Sequence, residues 1–169
     1  MAPSPRLRHV DPYEHRSRWY FALCRFSTTR AGGWLAVHVS WKVDPLLLKL
    51  TGNRFSSAGP LPVALLETRG ARTGRVRRNA TLYFHDDDRV TIVASKRGAP
   101  EHPGWYHNLR HDPDVVFGGV PFRAEVVEDH DNRERLWALA DRVFPQYADY
   151  REQAALTARV IPIVQLVPR

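Results

Sequence analysis

Two short stretches of the chain place anion-binding chemistry in turns. Arg69-Gly70-Ala71-Arg72-Thr73-Gly74-Arg75 gathers guanidinium groups, a hydroxyl and backbone N–H groups into one loop, the donor set that an oxyanion or phosphate requires. Ser95-Lys96-Arg97-Gly98-Ala99-Pro100 repeats that chemistry just ahead of a predicted helix. Both loops follow apolar, strand-like runs. They define the stretch from Leu65 to Leu109 around which the remaining residues act as scaffold or lid.

Other constellations are weaker. The chain carries no catalytic triad, P-loop or dinucleotide fingerprint. Ser95-Lys96 begins like a nucleophile and its base but lacks the flanking residues of such a pair, so ligand hydrogen bonding is the better use. His102, His107 and His111 lie close together, yet HNLRH lacks the Glu of a zinc-peptidase helix, and the three are read as surface or capping histidines. Asp86, Asp87 and Asp88 stand in a tight turn between strands and are read as solvated carboxylates, with no metal expected. Basic loops interleaved with Tyr83, Phe84, Trp105 and Tyr106 would also suit single-stranded nucleic acid, the leading alternative on physical grounds alone.

The elements that must position these loops follow from periodicity. Asp11 to Ser27 reads as a basic amphipathic helix, with Trp19, Leu23 and Phe26 at helical spacing and Tyr20 and Cys24 alongside. It suits either a membrane-surface or lid element, or a helix packed on the body of the protein with its arginines in water. A second helix is predicted from Gly33 to Lys42, then a short apolar one with Asp44 as N-cap and Pro45 at its first position, stopped by Gly52-Asn53. Strands are predicted at Val63–Thr68, Val76–Phe84, Arg89–Ala94, Val115–Phe117, Phe122–Val127 and Ile161–Val167. Helices are predicted at Pro103–His111, at Asp131–Phe144 with Asp131 and Glu134 as a capping box, and after Pro145, where Tyr147 and Tyr150 share a face. Hairpin-linked strands with irregularly inserted helices argue for a small closed antiparallel barrel with added helices, an α+β fold that is mainly β.

Composition bounds the partners. A chain of 169 residues, 43% of them hydrophobic, can close one core. The division expected is an arm and helix over 1–32 and a single barrel domain over 33–169. The net charge of +7 comes from arginine far more than lysine, which favours forked recognition of an anionic partner. The single cysteine, Cys24, forms no internal disulfide and reads as a core hydrophobe, and a reducing cytoplasm is the expected compartment. No apolar run reaches the roughly 20 residues a spanning helix needs, and no signal peptide is visible.

The runs GARTGRVRRNATLYF, VASKRGAPEHPGWYHNLRHDPDV, FPQYADY and IPIVQL resemble the deazaflavin-dependent nitroreductase and quinone reductase family, over Leu65 to Pro168; VDPLLLKLTGNR is similar to the N-terminal part of its larger branch. The resemblance implies a split β-barrel of the kind used by FMN-binding proteins, with N-terminal helices and a C-terminal helical cover, holding reduced coenzyme F420. It implies hydride transfer to a quinone, nitro or enone acceptor. On it, Arg72, Thr73, Gly74, Arg75 and Arg78, with Asn79, are phosphate and tail contacts. Ser95, Lys96, Arg97, Gly98 and Ala99 are ring and linker contacts, Trp105 walls the ring and Asn108 supports it. Tyr83, Tyr147 and Tyr150 line the acceptor side. Some nitro-reducing members carry a tyrosine where Phe144 stands, which places nitroimidazole activation in doubt but affects quinone or enone reduction less. The alternative is a split-barrel binder of FMN, haem or a fatty acyl ligand that does not turn over F420. No nucleic acid is expected as partner, and the N-terminal helix is the candidate for peripheral contact with the inner face of the cell membrane.

Overall fold

A computed structural model of the protein describes residues 7–29, 31–32 and 41–169. Six antiparallel strands close a barrel in the order β1-β2-β3-β6-β5-β4. The strands are β1 Val63–Arg69, β2 Val76–Asp86, β3 Arg89–Val93, β4 Asp114–Phe117, β5 Val120–Val126 and β6 Ile163–Pro168. The pairing that closes it, β1 with β4, is two residue pairs long. Registers such as Leu65 opposite Ala80 and Ile92 opposite Val164 alternate side chains between the interior and the outer face. The mainly-β barrel and its three hairpins match the sequence reading because period-two alternation and the Gly118-Gly119 and Asp87-Asp88 turns are local signals.

The helices are α1 Arg18–Thr28, α2 Trp41–Thr51, α3 Gly104–His111, α4 His130–Val143 and α5 Tyr147–Ala155. One apolar cluster joins barrel residues such as Leu66, Ile92, Phe117 and Leu166 to Tyr20 and Cys24 of α1 and to Leu136 and Ala140 of α4. Each such side chain, fully buried, is worth about 1.5–3 kcal/mol.

Several expected boundaries move. Helix α1 starts at Arg18, because Ser17 caps it by accepting the Tyr20 N–H; Asp11 to Ser17 is not helical. Its buried stripe is Tyr20 and Cys24, with the Tyr20 hydroxyl donating to Val143 O at 2.7 Å, whereas Trp19 is 84% exposed. Pro45 lies inside α2 and does not begin it. The buried Asp44 carboxylate, predicted to cap, instead accepts the Ser57 N–H and hydroxyl, and so fastens the loop after α2 to its first turns. Gly52 and Asn53, both left-handed, end α2 as expected. Asp129, not Asp131, caps α4 by accepting the Asn132 N–H at 2.8 Å. Asp86 is no solvated turn residue: both its oxygens accept from Arg135 at 2.7 Å, and Gln165 donates to it at 2.9 Å. Of the helix expected over 33–42, residues 33–40 lie outside the described residues.

Candidate active site

The β1–β2 loop is built as a closed turn. Gly70 N–H donates to Arg75 O at 2.9 Å, and Gly74, at φ +64°, returns its own N–H to Gly70 O at 2.8 Å. Such a φ suits glycine, which has no Cβ to clash. Asn108 of α3 braces the loop, its Oδ1 accepting from Ala71 N–H at 3.1 Å while Nδ2 donates to Thr68 Oγ1 at 3.0 Å. The N–H groups of Gly70, Ala71, Thr73, Gly74 and Arg75 are therefore engaged within the protein. Most of the backbone nest expected from the sequence is thus taken up within the protein; the donors left are the Arg72 N–H, the arginine side chains and the Thr73 hydroxyl.

Those side chains border a cavity of about 870 Å³ whose wall includes Arg72, Thr73, Arg77, Arg78, Asn79 and His107. Arg78 is tied to Glu67 at 2.8 Å, whereas Arg72, Arg75 and Arg77 have no ion pair among the described residues. Gly74 and Arg75, expected as contacts, shape the turn without lining the cavity. Arg77 and His107 do line it, and the sequence reading passed over both. Arg77 lies in a strand read only for its alternation, and His107 was grouped with surface histidines.

A second cavity, of about 410 Å³, is mostly apolar, its wall running from Leu23 and Phe26 of α1 through Leu82 and Val93 to Phe144, Tyr147 and Tyr150. Ser95, Lys96 and Arg97 reach it from the other expected loop. Trp105, buried, and Pro103 line both cavities, so one ligand with an anionic end and a planar ring could occupy the two across the indole.

The Ser95–Ala99 loop is unusual in its backbone. Lys96, Arg97 and Gly98 are consecutively left-handed, at φ +45°, +55° and +76°. For the two non-glycine residues this costs roughly 1–2 kcal/mol each. Gly98 is obligatory for a second reason: a Cβ there would lie 2.9 Å from Tyr150 O and from Gln153 Cβ. Gly98 therefore packs the loop against α5, and neither it nor Ala99 lines the cavity. Arg97 reaches across to Ser27 O, near the C-terminal end of α1, at 3.2 Å and lies 6.0 Å from the Tyr150 ring; Lys96 is paired with Glu101 at 2.8 Å.

The tyrosines divide. Tyr147 and Tyr150 line the cavity, and neither hydroxyl has a hydrogen-bond partner among the described residues. Burial raises both pKa values above the ordinary tyrosine range; for Tyr147 the neighbouring Tyr150 adds to this, while Arg97 partly offsets it for Tyr150. Both stay protonated donors through neutral pH. Tyr83 belongs elsewhere: its ring packs on Phe117, its hydroxyl donates to Arg8 O at 2.9 Å, and it lines neither cavity. Burial pushes its pKa up to about 12. Thr81, not anticipated, replaces it on the cavity wall, with a buried hydroxyl that has no partner among the described residues. In period-two alternation Thr81 and Tyr83 share a face; the strand's path past Arg8, and not its pattern, separates their roles.

The F420H(2)-dependent quinone reductase family model matches residues 47–168. The chain is 36% identical over 147 residues to the F420H(2)-dependent quinone reductase Rv1261c of Mycobacterium tuberculosis, covering 80% of this chain and 97% of that protein. It is 40% identical over 114 residues to the putative F420H(2)-dependent quinone reductase Rv3178 of the same organism, covering 65% and 92%. Among solved structures, an F420-H2 dependent reductase, FDR-A, superposes with a TM-score of 0.54 at 32% identity, covering 62% of this chain and 93% of that one.

Proposed function

The chain belongs to the F420H(2)-dependent quinone reductase family and is an F420-dependent reductase; from that premise we propose that it reduces a quinone, with the anionic part of the cofactor in the arginine-lined cavity and the acceptor in the apolar one. The observation that carries this reading is Trp105, the shared wall between a cationic cavity and an apolar cavity that ends in two tyrosines.

The donor set fits the cofactor. Arg72 and Arg77, which have no ion pair among the described residues, suit a phosphate and carboxylates, since forked guanidinium bonds to such groups are charge-assisted. The orphaned Thr81 hydroxyl suits a polar edge on a ring. When bound, reduced F420 supplies the hydride. The chain's own part is to bring acceptor and cofactor face to face between Trp105 and α5, to exclude water with Phe26, Leu82 and Phe144, and to donate hydrogen bonds from Tyr147 and Tyr150 to the acceptor oxygens as negative charge develops. Lys96, bonded to Glu101 at 2.8 Å, would hold an anionic linker of the cofactor by giving up that exposed pair. Phe144 offers that pocket a ring without a hydroxyl, which suits a quinone or enone better than a nitroimidazole needing a further donor.

A second observation favours contact with a membrane, the phase that holds lipid quinones. No described helix is long and apolar enough to cross one. Yet α1 and α2, which border the acceptor cavity, expose Trp19 and Leu50 at 84% and 73%, beside Arg18 and Lys49. Tryptophan and basic residues at a helix surface suit an interfacial position. Fluorescence titration with F420 and separately with FMN tests the cofactor assignment; quenching by FMN alone would overturn it. Co-sedimentation with anionic vesicles, lost in Trp19→Ser with Leu50→Ser, tests the second.

A further inference from the structure

The loop that carries Ser95 and Lys96 is held from behind by a residue more than sixty positions away. Arg159, in the connection between α5 and β6, is buried at 8% exposure. Its Nε donates to His102 Nδ1 at 3.1 Å, one terminal nitrogen donates to Ser95 O at 3.0 Å and to Ala99 O, and the other donates to Ala94 O. Three loop carbonyls are thus turned inward onto one guanidinium. No carboxylate among the described residues forms a contact ion pair with Arg159; Glu101, bonded to Lys96, acts on it only through its charge. An arginine satisfied by carbonyls keeps its whole charge, so a positive group lies directly beneath the left-handed turn.

We infer that Arg159, oriented by His102, is a positioning residue for the cofactor: it fixes the Ala94–Ala99 backbone with its carbonyls inward, so that Ser95 and Lys96 face the cavity, and it lends positive charge, only partly offset by Glu101, to the anionic ligand there. This rests on the reading of the loop as cofactor-binding. It carries a condition on His102. Nδ1 accepts from a group that does not give up its proton, so the imidazole must be neutral with its hydrogen on Nε2. The groups facing it are Arg159, at 3.1 Å, and the Tyr106 and His107 rings of α3 at 4.9 and 6.0 Å. Burial, then Arg159, then His107 hold its pKa below the ordinary histidine value. The clamp is therefore whole above that ordinary value and is lost as pH falls through the lowered one.

The test compares wild type with Arg159→Met, Arg159→Lys and His102→Asn, which keeps an acceptor near the Nδ1 position but does not titrate. Two readouts are used: F420 dissociation constants from fluorescence quenching at neutral pH and about pH 5.5, and amide hydrogen exchange of residues 94–99 in cofactor-free protein. Arg159→Met should weaken F420 binding on the order of tenfold, with kcat at saturating cofactor nearly kept, and should speed loop exchange. Arg159→Lys should recover part of both. His102→Asn should flatten the acid loss of affinity. Unchanged affinity and exchange in Arg159→Met, or in Arg159→Lys if the methionine variant does not fold, would overturn the inference, as would an undiminished acid loss in His102→Asn. A wild type that fails to bind F420 overturns the cofactor reading instead, while loop exchange still decides whether Arg159 holds the loop.

Discussion

The side-chain oxygen of Asn108 accepts the Ala71 N–H at 3.1 Å, so helix α3, which carries Trp105, and the β1–β2 loop, which carries Arg72, are bound to each other. The other end of the same carboxamide is the hydrogen-bond donor to the buried Thr68 hydroxyl. Asn108→Ala should therefore destabilise the fold by about 1–3 kcal/mol, the cost of a buried group left unsatisfied, and should weaken F420 binding without touching the acceptor KM. Chemical denaturation and cofactor titration check the two effects; a loss of acceptor affinity alone would contradict the assignment.

Arg72 and Arg75 are near neighbours in sequence with different surroundings: Arg72 lines the cationic cavity and Arg75 does not. Arg72→Ala should weaken F420 binding by about 1.5–3 kcal/mol, with an affinity that falls with salt, and Arg75→Ala should cost much less. Titrations at low and high ionic strength check this. Equal losses in the two variants would place the tail along the outside of the turn.

Much of the fold was legible because its signals are local. A continuous apolar run marks β1, alternation marks β2, and Gly118-Gly119 marks the β4–β5 turn. The two arginine-bearing loops stood out for the same reason, since their donors are adjacent in the chain. Arg159 and Thr81 were not legible: each acquires its role from partners brought close by barrel closure, and neither TARVIP nor NATLYF carries a local mark of it. Tyr83 and Tyr150 are the same residue type at similar burial, and only the path of the chain separates a hydroxyl bonded to Arg8 from one that faces a cavity. The backbone N–H groups of the first loop misled because the turn closes on itself and satisfies four of them, while Asn108, distant in sequence, takes a fifth.

On the acceptor side, Tyr150→Phe removes a donor and keeps the ring. It should lower kcat with menadione by on the order of 10²-fold while leaving the F420 dissociation constant nearly unchanged, and Tyr147→Ala should in addition raise the menadione KM. Because both tyrosine pKa values are raised, the protonated donor persists above the ordinary value, and kcat should not fall from about pH 7 to 9 through loss of these protons. Steady-state kinetics across that range check it.

Asp86 gives a pH signature unrelated to the site. Its hydrogen bonds from Arg135, the larger influence, hold its pKa below the usual carboxylate value against the opposing effect of burial. A depressed folded pKa contributes stability that is present above the unfolded value and lost as pH falls through the folded one. Asp86→Asn should therefore lower Tm at neutral pH and narrow the difference from wild type in acid, as thermal melts at the two pH values will show; Tyr150→Phe should not share this pattern.

The central claim is that reduced F420 and a quinone meet between Trp105 and α5. It is tested most directly by anaerobic single-turnover mixing of the protein and F420H2 with menadione, following the return of the oxidised cofactor's visible absorbance in wild type and in Tyr150→Phe. The account predicts stoichiometric oxidation of F420H2 that requires the protein and the quinone together and is slowed in the variant at unchanged cofactor occupancy. Oxidation at the same rate in both proteins would contradict the placement of the acceptor, and absence of oxidation by a wild type with F420H2 bound would contradict the quinone reductase reading itself.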